Sequence, residues 1–152
     1  MLNLVFQYMF KLAYRLQLVS NRFTNKKVRG AYVALWHNDS ILLVQNSYKK
    51  YKTLPCGGIK KNEGVCQAAL RELREEVGVS LRAEQIALVK VVVRYEEFKE
   101  DTIYIFEHSM RDEPKIQIDN REVIWASFVE KKQALKINLA PGVRVYLESL
   151  LD

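Results

Sequence analysis

The sequence predicts an α+β protein, a mixed β-sheet with helices packed on it, preceded by an extra amphipathic helix. Three observations predict it. β-rich runs come in pairs joined by turn residues, helical periodicity appears between and after them, and no stretch reads as a linker, repeat or low-complexity tract. With 152 residues there is room for one ordinary domain.

The first 19 residues predict a helix. Leu2, Val5, Phe6, Met9, Leu12, Ala13 and Leu16 recur at helical spacing, and Asn3, Gln7, Lys11 and Arg15 form a narrow polar stripe. Most of that helix wants cover, which the domain's own core or a second subunit of a homodimer would supply; a membrane surface is the less favoured reading. A secretory leader is disfavoured, because Lys11 interrupts the apolar stretch and no small-residue cleavage site follows. Residues 1–24 therefore form a helix and connector, and 25–152 the main domain.

Runs 31–36 and 41–45 read as strands around the turn His37-Asn38-Asp39-Ser40. Residues 47–61 read as an irregular basic loop holding Pro55, Gly57 and Gly58. A helix is expected over 65–77, with Ala69, Leu73 and Val77 on one side and Gly78 as the stop. Runs 86–95 and 102–106 form a second hairpin around the charged turn 96–101, and 123–128 a further strand. Pro141 opens a C-terminal helix ending near Leu151.

Composition narrows the class. At 49% hydrophobic and 28% charged the chain is globular in type, not disordered. No apolar run reaches the ~18 residues that cross a bilayer. Cys56 and Cys66 cannot build a disulfide scaffold and have no histidine at zinc-site spacing, so a reduced, cytoplasmic setting is expected. The net charge of +6 conceals an asymmetry. Residues 1–62 carry eleven Lys/Arg and one acid, whereas 63–152 carry thirteen Lys/Arg and seventeen acids. The basic half would draw in phosphate-rich ligands, or merely keep the surface solvated.

The 65–77 helix breaks a local rule. Glu72, Glu75 and Glu76 stand at i, i+3 and i+4 on one face, where like charges cost about 0.2–0.5 kcal/mol per pair. Two of them also lie in the last turn, where the helix dipole disfavours anions by about 0.3–1 kcal/mol each. Alone, such a run also reads as a solvated acidic face with Arg71 pairing to Glu75. A divalent cation would reverse every unfavourable sign, and oxygen-only donors suit Mg²⁺ or Mn²⁺ rather than Zn²⁺.

The surroundings sharpen the reading. In the stretch GGIKKNEGVCQAALRELREEVGV, from Gly57 to Val79, five residues separate Gly57 from Glu63 and seven separate Glu63 from Arg71-Glu72. The stretch resembles the signature of the Nudix (MutT-like) hydrolases, with all seven fixed residues matched and Leu73 and Val79 in the aliphatic slots. A chance match at a given start is on the order of 10⁻⁸ on ordinary residue frequencies. Weaker resemblance reaches a Glu-x-x-Trp segment from Glu122 to Trp125.

The resemblance implies a Nudix fold, a mixed sheet sandwiched between helices (α/β/α), and a metal held by Glu72, Glu75 and Glu76, one of which would instead position or deprotonate the attacking water. It implies that Arg71 and Glu63 fix the loop to the helix and orient the carboxylates. Gly57 and Gly58 would let backbone approach metal or phosphate. Cys56 stands where the family often has Gly, and its backbone carbonyl is a candidate ligand; Asn62 replaces another frequent Gly and tolerates left-handed dihedrals. Glu122 and Asp119 are candidates for a fourth carboxylate. Lys49, Lys50, Lys52, Lys60 and Lys61 flank the loop as candidate phosphate contacts. Tyr95 lies where aromatics sometimes mark dinucleotide polyphosphate members. His37 and His108 show no partner in the sequence and read as structural or surface groups.

The implied activity is Mg²⁺- or Mn²⁺-dependent hydrolysis of a nucleoside diphosphate linked to another moiety, a small-molecule substrate with no stable nucleic-acid partner. A non-hydrolytic nucleotide-binding module and action on RNA 5′ ends are the alternatives.

Overall fold

The computed structural model describes residues 2–24 and 26–151. Met1, Asn25 and Asp152, at the bounds of the two expected units, lie outside the described residues. Chain order is α1 (Leu2–Thr24), β1 (Lys27–His37), β2 (Ser40–Asn46), β3 (Cys56–Gly58), α2 (Val65–Val77), β4 (Ala87–Glu96), β5 (Lys99–Met110), β6 (Val123–Glu130), α3 (Lys131–Ala134) and α4 (Pro141–Glu148). The expected helix, hairpins and last strand are present, and the strands run longer than their most apolar stretches. Neither α3 nor β3 was expected, since four and three residues are too short to show a period.

The sheet runs β4-β5-β1-β2-β6, with β3 on β1. β1 lies parallel to β5 from Lys27 opposite Glu100 to His37 opposite Met110. β1 and β2 pair only beside their turn, at Trp36↔Ile41 and His37↔Ser40. Below it the 53–58 stretch enters between them. Thr53 exchanges backbone hydrogen bonds with Val44, Val33 donates to the Pro55 carbonyl, and Cys56 registers with Tyr32. That insertion carries the glycine loop into the sheet's middle.

Strand alternation splits the core into two layers. Ala31, Val33, Leu35, Leu42 and Val44 face α2, where Ala69, Leu73 and Val77 meet them. Ala34, Trp36, Ile41, Leu43, Ile103 and Ile105 face α4, where Val143, Tyr146 and Leu147 close the other side. The result is the expected sandwich of sheet between helices. Trp36 Nε1 donates to the Tyr146 hydroxyl at 3.0 Å, which donates to Glu107 at 2.6 Å, so the polar atoms of the α4 layer are satisfied.

α2 is bounded by identifiable signals. The Gln67 side chain accepts the Gly64 amide at 3.0 Å, and Gly78 ends the helix at φ 74°, in the left-handed region that glycine enters without penalty.

α1 departs from expectation. Its apolar residues are not covered by the domain's own core: Leu2, Val5, Met9, Leu12, Leu16 and Val19 are all more than half exposed. The opposite face docks instead. Gln7 donates to the Asn120 carbonyl at 2.9 Å, Tyr14 bonds Glu97, Phe10 stacks on Tyr48, and Asn21 is buried. Polar groups at a seven-residue spacing found polar partners on the domain, which apolar periodicity could not reveal.

Candidate functional site

α2 brings the predicted carboxylates beside the inserted glycine loop. Glu76 is the acid on its inner face, only 7% exposed. Its Oε2 accepts the Cys56 amide at 2.8 Å and its Oε1 accepts from Asn46 at 3.3 Å. Burial pushes its carboxyl up to about 8; the Cys56 amide opposes the rise and the charges of Glu72 and Glu122 add to it.

Glu72 lies against the loop. A Cβ on Gly57 would stand 2.1 Å from its Cδ and Oε1, so this position requires the absence of a side chain. Burial also raises the Glu72 carboxyl, against the pull of Arg71. Glu75, one turn from Arg71, is half exposed.

Arg71 joins the loop to the helix. Its Nε and one terminal nitrogen donate to the two oxygens of Glu63, at 2.7 and 3.0 Å. The same nitrogen reaches the Gly58 carbonyl at 3.0 Å, while the other bonds Glu72 and, at 3.3 Å, Glu75. Loop, helix and carboxylates thus share one guanidinium, whose planar fork suits bidentate pairing. Arg71 holds Glu63 down to about 2. Glu63 also accepts the Lys60 amide at 2.9 Å, closing the turn in which Asn62 takes the expected left-handed conformation, at φ 61°.

The other candidates separate. Glu122 comes to the cluster: its Oε1 accepts the Tyr48 hydroxyl at 2.8 Å, and its charge bears on both Glu72 and Glu76. Asp119 is exposed and caps its own loop by accepting the Arg121 amide at 2.9 Å. Lys52 bonds Gln45 at 2.9 Å and lies over the Trp125 ring. Lys60 is exposed, and Tyr95 sits on the edge strand, 65% exposed. The Cys56 thiol is pushed up by burial, which suppresses the thiolate a nucleophile needs. His37 packs edge-on against Phe128 and His108 bonds the Gln85 carbonyl.

A cavity of about 290 Å³ opens on the α4 side of β1, reaching Asn46 and Cys56 but lined by none of Glu72, Glu75 and Glu76. Gly57 and Gly58 form one wall; Tyr32, Tyr51, Lys49 and Asp101 form the rest, with Tyr14 and Gln17 of α1 across the mouth. Lys49 is paired to Glu97, donates to the Tyr14 hydroxyl at 3.2 Å and lies 4.3 Å from that ring's centroid. Sequence reasoning missed Asn46, Tyr48, Tyr14 and Glu97. Their partners stand 30 to 83 residues away, and no local pattern marks them.

Among the described residues no three Asp, Glu, His or Cys side chains are gathered tightly enough to hold an ion. Arg71 engages Glu72 and Glu75 instead. The donor chemistry nevertheless fits a hard divalent cation. Glu72 and Glu76 are both pushed toward protonation, first by burial and then by neighbouring carboxylates, Glu75 and Glu122 acting on Glu72 and Glu72 and Glu122 on Glu76, and all donors are oxygens.

The family model described as NUDIX domain matches residues 26–150. No curated protein sequence matches the chain. Among solved structures, an Ap4A hydrolase from C. elegans superposes with a TM-score of 0.69 at 21% identity, covering 81% of this chain and 94% of its own. The E. coli dihydroneopterin triphosphate pyrophosphohydrolase gives 0.68 at 19% identity, covering 82% and 96%. The NUDIX domain of Shewanella oneidensis NrtR, solved with ADP ribose, gives 0.71 at 20% identity, covering 82% and 86%. At these identities the likeness is one of fold.

Proposed function

The chain belongs to the Nudix family of pyrophosphate hydrolases, and on that premise we propose that it hydrolyses a nucleoside diphosphate linked to another moiety, using Mg²⁺ or Mn²⁺. The observation that carries this is Glu76. An acid buried on a helix's inner face, beside two further carboxylates, is costly unless a cation joins it.

Glu72, Glu75 and Glu76 would hold the metal, with Glu122 completing the set and the Cys56 carbonyl adjoining. When bound, the ion neutralises pyrophosphate oxygens and acidifies a water for in-line attack on phosphorus. The remaining work is done by the chain. The Cys56 amide and Asn46 fix the Glu76 carboxylate, one on each oxygen. Arg71 and Glu63 hold the glycine loop against α2, keeping the bare Cα of Gly57 at the Glu72 carboxylate. Release of Glu72 and Glu75 by Arg71, which keeps its bidentate pair with Glu63, would free the two acids for ligation. The cavity that shares the Gly57–Gly58 loop with them, walled by tyrosines and glycine backbone, suits a nucleoside portion by stacking and exclusion of water.

The test is a panel of NADH, ADP-ribose, diadenosine polyphosphates, sugar nucleotides, nucleoside triphosphates and capped RNA, with Mg²⁺ and with Mn²⁺, products identified by mass. Cleavage at a pyrophosphate linkage, yielding a monophosphate from one of the diphosphate compounds, is expected. Calorimetric binding of ADP-ribose without product from any compound would leave a non-hydrolytic module. Turnover confined to capped RNA, with affinity falling steeply in salt, would shift the substrate class.

A further inference from the structure

We propose that the outward face of α1 is a docking surface for an anionic lipid membrane, on which the helix lies in the plane of the interface. The proposal rests on α1's two faces. One is engaged by the domain: Gln7, Phe10, Tyr14 and Asn21 all have partners there. The other bears Leu2, Val5, Met9, Leu12, Leu16, Val19 and Phe23, between 52% and 82% exposed. At 100° per residue these span roughly 100°, a continuous apolar stripe rather than scattered surface residues. Over 23 residues the stripe runs about 34 Å. Among the described residues no helix is long and apolar enough to cross a membrane; an apolar stripe beside a cationic flank is the pattern of a helix that lies on one.

Charge selects the occupant. Every charged residue of α1 is a cation, and Lys11, Arg15 and Arg22 are all exposed along one flank of the stripe. At the other flank Arg121 lies over the Phe6 ring. Residues 1–38 contain no acid at all. A second copy of the chain would bring the same cations against these. The 3-4 spacing of the stripe would suit a coiled coil, but such seams are flanked by opposite charges that pair across, and α1 supplies none. A phospholipid surface of negative charge meets both the apolar stripe and its basic flank. The NUDIX match begins at residue 26, so this surface lies outside the matched residues.

The test is flotation of the full chain with vesicles of phosphatidylcholine alone and of phosphatidylcholine mixed with phosphatidylglycerol. At least tenfold stronger partition onto the anionic vesicles is expected, weakening with salt. The exposed pair Leu12→Glu/Leu16→Glu should abolish flotation, and Arg15→Gln/Arg22→Gln should weaken it by about fivefold per cation removed. Circular dichroism of each variant checks that it is folded. Three results would overturn the proposal: no flotation with either vesicle, equal partition onto both, or a light-scattering dimer that Leu12→Glu/Leu16→Glu splits while vesicles capture nothing.

Discussion

Glu76 is where the molecule departs furthest from what stability alone would select. A carboxylate 7% exposed, holding the Cys56 amide at 2.8 Å, is retained beside Glu72 although both burial and that neighbour disfavour its charge. Replacing it with glutamine keeps the shape and the amide contact while deleting the charge. Glu76→Gln should therefore lower kcat by about 10²–10³-fold or more, with circular dichroism unchanged; near-full turnover would remove the residue from the machinery. Gly57 acts by absence. The methyl of Gly57→Ala would stand 2.1 Å from the Glu72 carboxyl, which must swing aside. Displacements of that size at a reacting centre cost about 10²-fold in rate, whereas a flexible side chain moves at little cost in stability. Gly57→Ala should thus show a large loss of kcat with a melting temperature close to that of the parent.

Among the elements, α2 was the most legible and α1 the least. α2 announces itself through Ala69, Leu73 and Val77 on one side, Gly78 at its end and a motif whose spacing is fixed by chemistry. α1 showed its helical period but not its orientation, because Tyr14, Asn21 and Gln7 look like ordinary polar positions until Glu97 and Asn120 are found opposite them. The β4–β5 turn is the other half of that contact. Glu97 and Phe98 both have positive φ, at 51° and 61°, an unfavourable state for side-chain-bearing residues that its partners must hold. Burial pushes the Glu97 carboxyl up, but bonds from Lys49 and Tyr14 outweigh that and leave it lowered. Removing this one carboxylate leaves Lys49 among tyrosine rings without its ion-pair partner. Glu97→Ala should destabilise the protein by about 1–3 kcal/mol. The loss should appear first as faster amide exchange and proteolysis of α1, ahead of global unfolding. Uniform protection of α1 in that variant would show that its docking does not depend on this cluster.

At the scale of the whole molecule the site works against the fold, and the conflict is visible in how stability depends on pH. In metal-free protein the folded state holds the Glu76 proton up to about 8, while the unfolded chain releases it near its ordinary value of 4.5. Between those values the folded state binds more protons, so stability is fully present below the lower one and declines as pH rises toward the higher. The size of the decline is on the order of a few kcal/mol. Glu63, held down to about 2 by Arg71, gains its stability below that window and adds no slope within it. The melting temperature of chelator-treated protein should accordingly fall from pH 5 to pH 8, and Glu76→Gln should flatten that fall. Adding Mg²⁺ at the upper pH should restore stability, because a cation that binds only the folded, ionised cluster contributes in proportion to the logarithm of its concentration over its dissociation constant. A flat profile in the parent would mean that burial and the neighbouring carboxylates do not hold the Glu76 proton in the folded state, and with it would go the physical reason for placing a metal beside that acid.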